Sequence, residues 1–169
     1  MSNSTYIIDE DLFASKGSRI LNYILDIIFI MCLIFALAFI LAILAGLFQW
    51  NGILLWLSDM GDLSGQVVFI GVTIFYYTIT EGFLGRSLAK LITGTIVVNE
   101  NGEKPSFGTF LKRSLCRLIP FEAFSFLGDS GRGWHDTISD TYVVNKKDLA
   151  ENLKTFHEFN LIGVQEVEA

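Results

Sequence analysis

The sequence of 169 residues contains little cysteine and histidine, and few charges for its length. Cys32 and Cys116 lie in separate segments, which excludes a disulfide framework or a thiol pair for redox chemistry. The two histidines lack metal-ligand spacing, so we predict no bound metal and no cofactor. Only 18% of the residues are charged and 51% are hydrophobic, which is too apolar for an ordinary soluble domain.

Basic residues are scarcer than acidic ones. Twelve lysines and arginines stand against 18 aspartates and glutamates, giving a formal net charge of −6. This balance argues against nucleic acid as a partner. The charges are also unevenly placed, because residues 20–48 contain only one of them, Asp26.

Two apolar runs predict membrane-spanning helices and a lipid bilayer around them. The first, residues 20–47, exceeds the ~30 Å of a hydrocarbon core at ~1.5 Å per residue. A cleavable signal peptide is the alternative, but its apolar run is shorter. The second span covers residues 66–84, with Tyr76 and Tyr77 at an interface. A buried helix of a soluble domain is the alternative there, but so short a chain could not cover two such helices.

Basic residues near the spans predict their orientation. The connection between the spans contains Asp59 and Asp62 but no lysine or arginine, whereas cations precede the first span and follow the second. By the positive-inside rule, both termini are cytoplasmic. The chain then divides into a cytoplasmic tail (1–18), a membrane domain (19–145) and a polar cytoplasmic tail (146–169).

Residues 107–127 predict a third, amphipathic helix. Apolar side chains recur on one side at helical spacing, and Lys112, Arg113 and Arg117 occupy the other side. We expect an interfacial or re-entrant helix whose three cations contact anionic lipid head groups. A full crossing is the alternative, but it would have to carry Glu122 through the membrane.

Two short β-branched runs, residues 92–98 and 141–145, predict strands, and residues 99–102 have the composition of a turn. The predicted fold is therefore mainly α and polytopic. It has two long transmembrane helices, an interfacial or re-entrant third helix and a small cytoplasmic β hairpin-like unit.

Asp26 lies inside the first span, where a carboxylate costs a few kcal/mol unless it is paired or wetted. Arg19 and Asn22 share its helix face, but Arg19 lies ~10.5 Å away along the axis, so each ion should find another partner. The stripe is either an ion- or proton-linked site or a structural tie between helices. Glu81, near the inner end of the second span, is a weaker candidate for such a site, because an interfacial glutamate needs no explanation.

Residues 15–26, 85–98 and 132–144 resemble the RDD family of small bacterial membrane proteins. The family is named for one arginine and two aspartates, and the resemblance assigns these to Arg19, Asp26 and Asp136. It also implies a multi-pass location in the bacterial inner membrane, without implying a specific activity.

Further family positions fall on Lys90 and Gly94 after the second helix, on Gly102 at a hairpin turn and on Arg113 in the following helix. Ala89 and the pair Thr95-Ile96 depart from the family pattern.

The predicted polar network consists of Arg19, Asn22, Asp26, Lys90 and Asp136. Two functional hypotheses follow for these residues. A transporter or ion exchanger would use them as an intramembrane site and would need a homo-oligomer or another membrane protein, because two spans enclose no pathway. In a non-catalytic accessory or scaffold protein they would form a structural network. We do not expect an enzyme, since the only acid-base candidate, His135-Asp136, consists of sequence neighbours whose side chains need not meet.

Overall fold

The computed structural model describes residues 6–119, 122, 125 and 132–167, with side chains up to residue 159. Its helices and strands follow in chain order. They are α1 (Lys16–Leu47), α2 (Asn51–Ser58), α3 (Asp62–Leu84), α4 (Leu88–Thr93), β1 (Thr95–Val98), α5 (Phe107–Cys116), α6 (Trp134–Ile138), β2 (Tyr142–Asn145) and α7 (Lys146–Val167).

The two long apolar helices predicted from the sequence are confirmed as α1 and α3. Each is long and apolar enough to cross a membrane. In the most apolar 18-residue stretch of each helix, only 6% of the stretch in α1 and 22% of the stretch in α3 is buried within the protein. A core helix of a soluble domain would be mostly covered, so these helices expose the surface that a bilayer would contact. The helix α1 begins before the apolar run, at Lys16, because the Ser15 hydroxyl accepts a hydrogen bond from the Ser18 amide at 3.2 Å.

The helices α1 and α3 pack together through one buried cluster near their middle. Ile30 of α1 contacts Tyr76 and Tyr77 of α3, with Leu33 and Val72 at the edge of the cluster. The two helices therefore meet through apolar and aromatic side chains at this level.

The predicted β unit is confirmed as a two-stranded antiparallel sheet, in which Thr95 pairs with Asn145 and Val98 with Tyr142. It is not a hairpin, because α5 and α6 lie between the strands in sequence. The turn after β1 forms as expected, with Gly102 at φ 77° and its amide donating to the Asn99 carbonyl at 3.1 Å. That turn leads into α5 instead of a second strand.

The residues before α1 pack on this sheet. The Ala14 amide donates to the Val143 carbonyl at 2.9 Å, and Leu12 joins a core with Val144 and Leu149. The Tyr6 hydroxyl donates to Asn152 of α7 at 3.2 Å. Parts of both predicted tails therefore belong to one compact unit. We call residues 6–15, 85–119 and 132–159 the sheet unit.

Helix α5 exposes several large apolar side chains and buries an arginine. Phe107, Leu111 and Leu115 are exposed, whereas Arg113 is buried together with Phe110. A surface helix of a soluble domain usually buries its apolar side, so the exposed apolar side chains are typical of a helix in apolar surroundings. The helix ends at Cys116. Of the predicted continuation to residue 127, residues 120, 121, 123, 124, 126 and 127 lie outside the described residues.

Candidate functional site

The polar residues singled out in the sequence converge where α1 and α3 meet the sheet unit. All five are buried, with at most 6% of each residue exposed. Three further charged residues join them. We call the whole set the polar cluster: Arg19, Asn22, Asp26, Glu81, Lys90, Arg113, Arg117 and Asp136.

Asp26 is held by neutral donors. One carboxylate oxygen accepts hydrogen bonds from the Tyr76 hydroxyl at 2.7 Å and from the Ala89 amide at 3.2 Å, and the other accepts from the Ser87 hydroxyl at 2.7 Å. Ser87 is the N-cap of α4, and Ala89 contributes an amide of its first turn. Amide groups at a helix N-terminus stabilise an anion, so α4 supplies the compensation that a carboxylate at this depth requires.

Asn22, one turn before Asp26, ties α1 to the start of the sheet. Its side-chain NH₂ donates to the Thr95 hydroxyl at 3.0 Å, and its carbonyl oxygen accepts from the Thr93 hydroxyl at 2.6 Å. Both groups of the amide are therefore used, as a buried amide requires.

Arg19 connects α1 to α6 and β2. Its guanidinium donates to a carboxylate oxygen of Asp136 at 2.6 Å and to the carbonyl oxygens of Ala14 at 3.3 Å and Val143 at 3.4 Å. The second oxygen of Asp136 pairs with Arg113. Burial alone would raise the pKa of Asp136, but Arg113, His135 and Arg19 hold it well below its usual range.

Glu81 binds more cations than any other described carboxylate. It is fully buried and accepts from Lys90 at 2.6 Å, Arg113 at 3.0 Å and Arg117 at 3.3 Å. Treating Glu81 as an ordinary interfacial residue was wrong. The available signal was that Lys90 and Arg113 were both assigned to the family pattern without an acid to neutralise them.

Lys90 is held in this buried site by Glu81. Burial, opposed by Glu81 and reinforced by Arg113 and Arg117, lowers the pKa of Lys90 to about 8. The ammonium group is thus charged at neutral pH, and its pairing with Glu81 forms a link between α4 and α3.

The prediction that Arg113 contacts lipid head groups is wrong. Its side chain is fully buried and bonds to Glu81, Asp136 and Thr141. The reason is that α5 turns Arg113 into the protein and leaves large apolar side chains on its exposed side. Arg117 also turns inward, with its guanidinium 3.8 Å above the Tyr77 ring. Lys112 is exposed, and its contact with lipid stays a prediction.

His135 and Asp136, neighbours in sequence, do meet through their side chains. The imidazole Nε2 lies 3.3 Å from a carboxylate oxygen of Asp136, and Nδ1 bonds to Glu122. Burial, opposed by Asp136 and reinforced by Arg117 and Arg113, lowers the pKa of His135 to about 4. The ring is thus neutral at pH 7.

A small cavity of about 40 Å³ lies against the polar cluster. Asp26, Lys90 and His135 are among its lining residues. A water molecule needs roughly 10–15 Å³ and several polar partners, so this cavity suits one or a few buried waters. The described residues form a buried ionic network beside a space large enough for water.

Comparison with known families gives one match that spans most of the chain. The RDD family model matches residues 13–140, a range that contains every member of the polar cluster. No curated protein and no solved structure matches the sequence. Because the match covers most of the chain, this protein belongs to the RDD family.

Proposed function

We propose that this protein is a multi-pass protein of the bacterial inner membrane, with both termini in the cytoplasm, and that it is a non-catalytic accessory or scaffold protein. In this proposal, the polar cluster is a structural lock. The observation that carries the proposal is that Asp26, Glu81 and Asp136 each accept two or more hydrogen bonds from described residues.

The proposed membrane location rests on exposed apolar surface. Helices α1 and α3 leave most of their apolar side chains uncovered, and α5 adds Phe107, Leu111 and Leu115. The Phe107 ring contacts Phe83 of α3 at a centroid distance of 6.5 Å, so the two apolar surfaces are continuous. The cytoplasmic orientation rests on the basic residues that flank the spans.

The lock hypothesis rests on how many elements the cluster joins. Its ion pairs and hydrogen bonds connect α1, α3, α4, α5 and α6. Removing one partner of a buried pair typically costs 3–5 kcal/mol, because the other charge remains buried. A network of this kind holds the sheet unit in one position beneath the two long helices.

A fixed sheet unit is suited to presenting a surface to a partner. Its helix α7 has a largely exposed polar face, including the pair Lys154 and Glu158 at 3.8 Å. We propose that this face binds another membrane protein or a second copy of the chain, while anionic lipid contacts Lys112.

Ion or solute transport is the second candidate function. The observation that favours it is the small cavity, which places Asp26 and Lys90 beside a volume able to hold water. Two spans enclose no pathway alone, so this function also requires an oligomer.

The variant Asp26→Asn separates the two functions, and Asp59→Asn, an exposed acid in the connection between the spans, is its matched control. For the lock, we expect Asp26→Asn to lower membrane abundance and the melting temperature in detergent, because an amide cannot accept as strongly from three donors. The control should match the wild type. Cation flux into reconstituted vesicles should not exceed that of empty vesicles for the wild type or either variant.

Normal abundance and melting of Asp26→Asn, combined with loss of a flux that the wild type and Asp59→Asn both show, would contradict the lock and establish transport instead.

A further inference from the structure

A groove of about 290 Å³ lies between α1 and α3, beside the polar cluster. Ile27 and Ile30 of α1 form one wall, and Phe69 and Thr73 of α3 form the other. Leu118 and Ile119 cover the end nearest the sheet unit. Phe69, Leu118 and Ile119 are each more than a third exposed, so the groove opens on the surface that faces the bilayer.

The polar end of the groove is formed by Arg117. Its guanidinium stacks on Tyr77 and donates one hydrogen bond to Glu81 at 3.3 Å. Its Nε has no hydrogen-bond partner within the described part of the chain, although the atom is buried. A buried donor left without an acceptor costs about 1–3 kcal/mol, so an acceptor at this position is favoured.

The charges around Arg117 favour an anion as that acceptor. Glu81 carries one negative charge but is shared by three cations, of which Arg117 has the longest contact. The carboxylate of Glu122 also lines the groove, where it bonds to His135. Among the described residues that line the groove, Arg117 is the one cation, and its Nε still lacks an acceptor.

We propose that this groove binds an anionic phospholipid of the adjacent leaflet, with one acyl chain between α1 and α3 and the phosphate at Arg117. The apolar walls match an acyl chain and not a water-soluble anion, and a guanidinium binds phosphate with good geometry. This site does not depend on whether the polar cluster acts as a lock or in transport.

Native mass spectrometry of the full-length protein released from nanodiscs of equal parts phosphatidylglycerol and phosphatidylcholine tests the proposal. The wild type should retain phosphatidylglycerol selectively. Arg117→Gln should reduce its retention about tenfold or more, the equivalent of one lost charged hydrogen bond. Thr73→Trp should do the same by filling the groove. Lys147→Gln removes an exposed cation of α7 outside the groove and should change nothing.

Melting temperatures of all variants are measured in parallel to show which of them fold. If Arg117→Gln does not fold, the lipid retention of Thr73→Trp is the test of the proposal. Absence of selective retention by the wild type would overturn the proposal. So would wild-type retention by folded Thr73→Trp, or an equal loss in Lys147→Gln, which would indicate general attraction of the lipid to surface charge.

Discussion

Glu81 pairs with three cations inside the protein. Removing its charge should therefore destabilise the fold more than removing the charge of an exposed acid on the same helix. We predict that Glu81→Gln lowers the free energy of unfolding by about 3–5 kcal/mol, because Lys90 stays buried without a counter-charge and Arg113 loses one of its two acidic partners. Denaturant titration in detergent micelles measures the loss.

The control for this change is Asp62→Asn at the other end of α3, where the acid is exposed in the first turn. It should cost about 0.3–1 kcal/mol through the helix dipole. Similar losses in the two variants would mean that Glu81 is not a centre of the network.

The ionised form of Asp136 should make the protein sensitive to acid. Its pKa in the folded state is far below the unfolded value near 4, so its contribution is complete above that pH and is lost progressively below it. Glu122 acts in the same direction, because burial of this group is outweighed by His135 and Arg117 and its pKa is lowered. His135, neutral in the fold, adds further loss below its unfolded pKa of about 6.5.

We therefore predict that the melting temperature falls steeply below about pH 4.5. Asp136→Asn should have a lower melting temperature than the wild type at pH 7, and its melting temperature should fall less on acidification. Asp9→Asn, an exposed acid near the N-terminus, should follow the wild type. Parallel curves for the wild type and Asp136→Asn would show that Asp136 is not the acid-sensitive group.

At the residue scale, only part of the polar cluster could be predicted from the sequence. Asp26 was identifiable because it interrupts an apolar run, and Arg19 and Asp136 were assigned through the family resemblance. Glu81 was only a weaker candidate, since a glutamate near a helix end is common and only the tertiary structure shows that it is buried.

At the scale of elements, the junction between α4 and β1 depends on one backbone conformation. Gly94 has φ 72° and ends α4, and the next residue, Thr95, bonds to Asn22 of α1. An added Cβ would meet no atom within 4 Å, so only backbone strain opposes a side chain.

Gly94→Ala should consequently lower the free energy of unfolding by about 1–2 kcal/mol, the cost of a left-handed conformation for an L-residue. Gly71→Ala in α3 is the control, because its surroundings are equally open and its backbone is helical. It should be neutral or stabilising by up to about 1 kcal/mol. Equal effects in a denaturant titration would contradict this role for Gly94.

The long helices and both strands were predictable because their signals are local: length, apolar run and β-branched content. The pairing of β1 with β2 was not, since it depends on α5 and α6 folding between them. The faces of α5 were predictable from helical spacing, but their orientation was not. The same periodicity fits a basic face turned to solvent or, as here, a basic face turned into the protein.

At the scale of the whole molecule, the polar cluster joins parts of the chain that are far apart in sequence. Arg19 at the start of α1 bonds to Asp136 of α6, a separation of 117 residues. The sheet then connects residues just before α1 to those just after α6, because Ala14 bonds to Val143. The central claim is that these contacts act together to hold the sheet unit against the two long helices.

A double-mutant cycle on Arg19 and Asp136 tests this claim most directly, using reversible unfolding of Arg19→Gln, Asp136→Asn and the double variant in mixed micelles. We expect the double variant to lose less stability than the sum of the single losses, with a coupling on the order of 0.5–3 kcal/mol. Additive losses, within roughly 0.3–0.5 kcal/mol, would contradict it, because the two residues would then stabilise the protein independently.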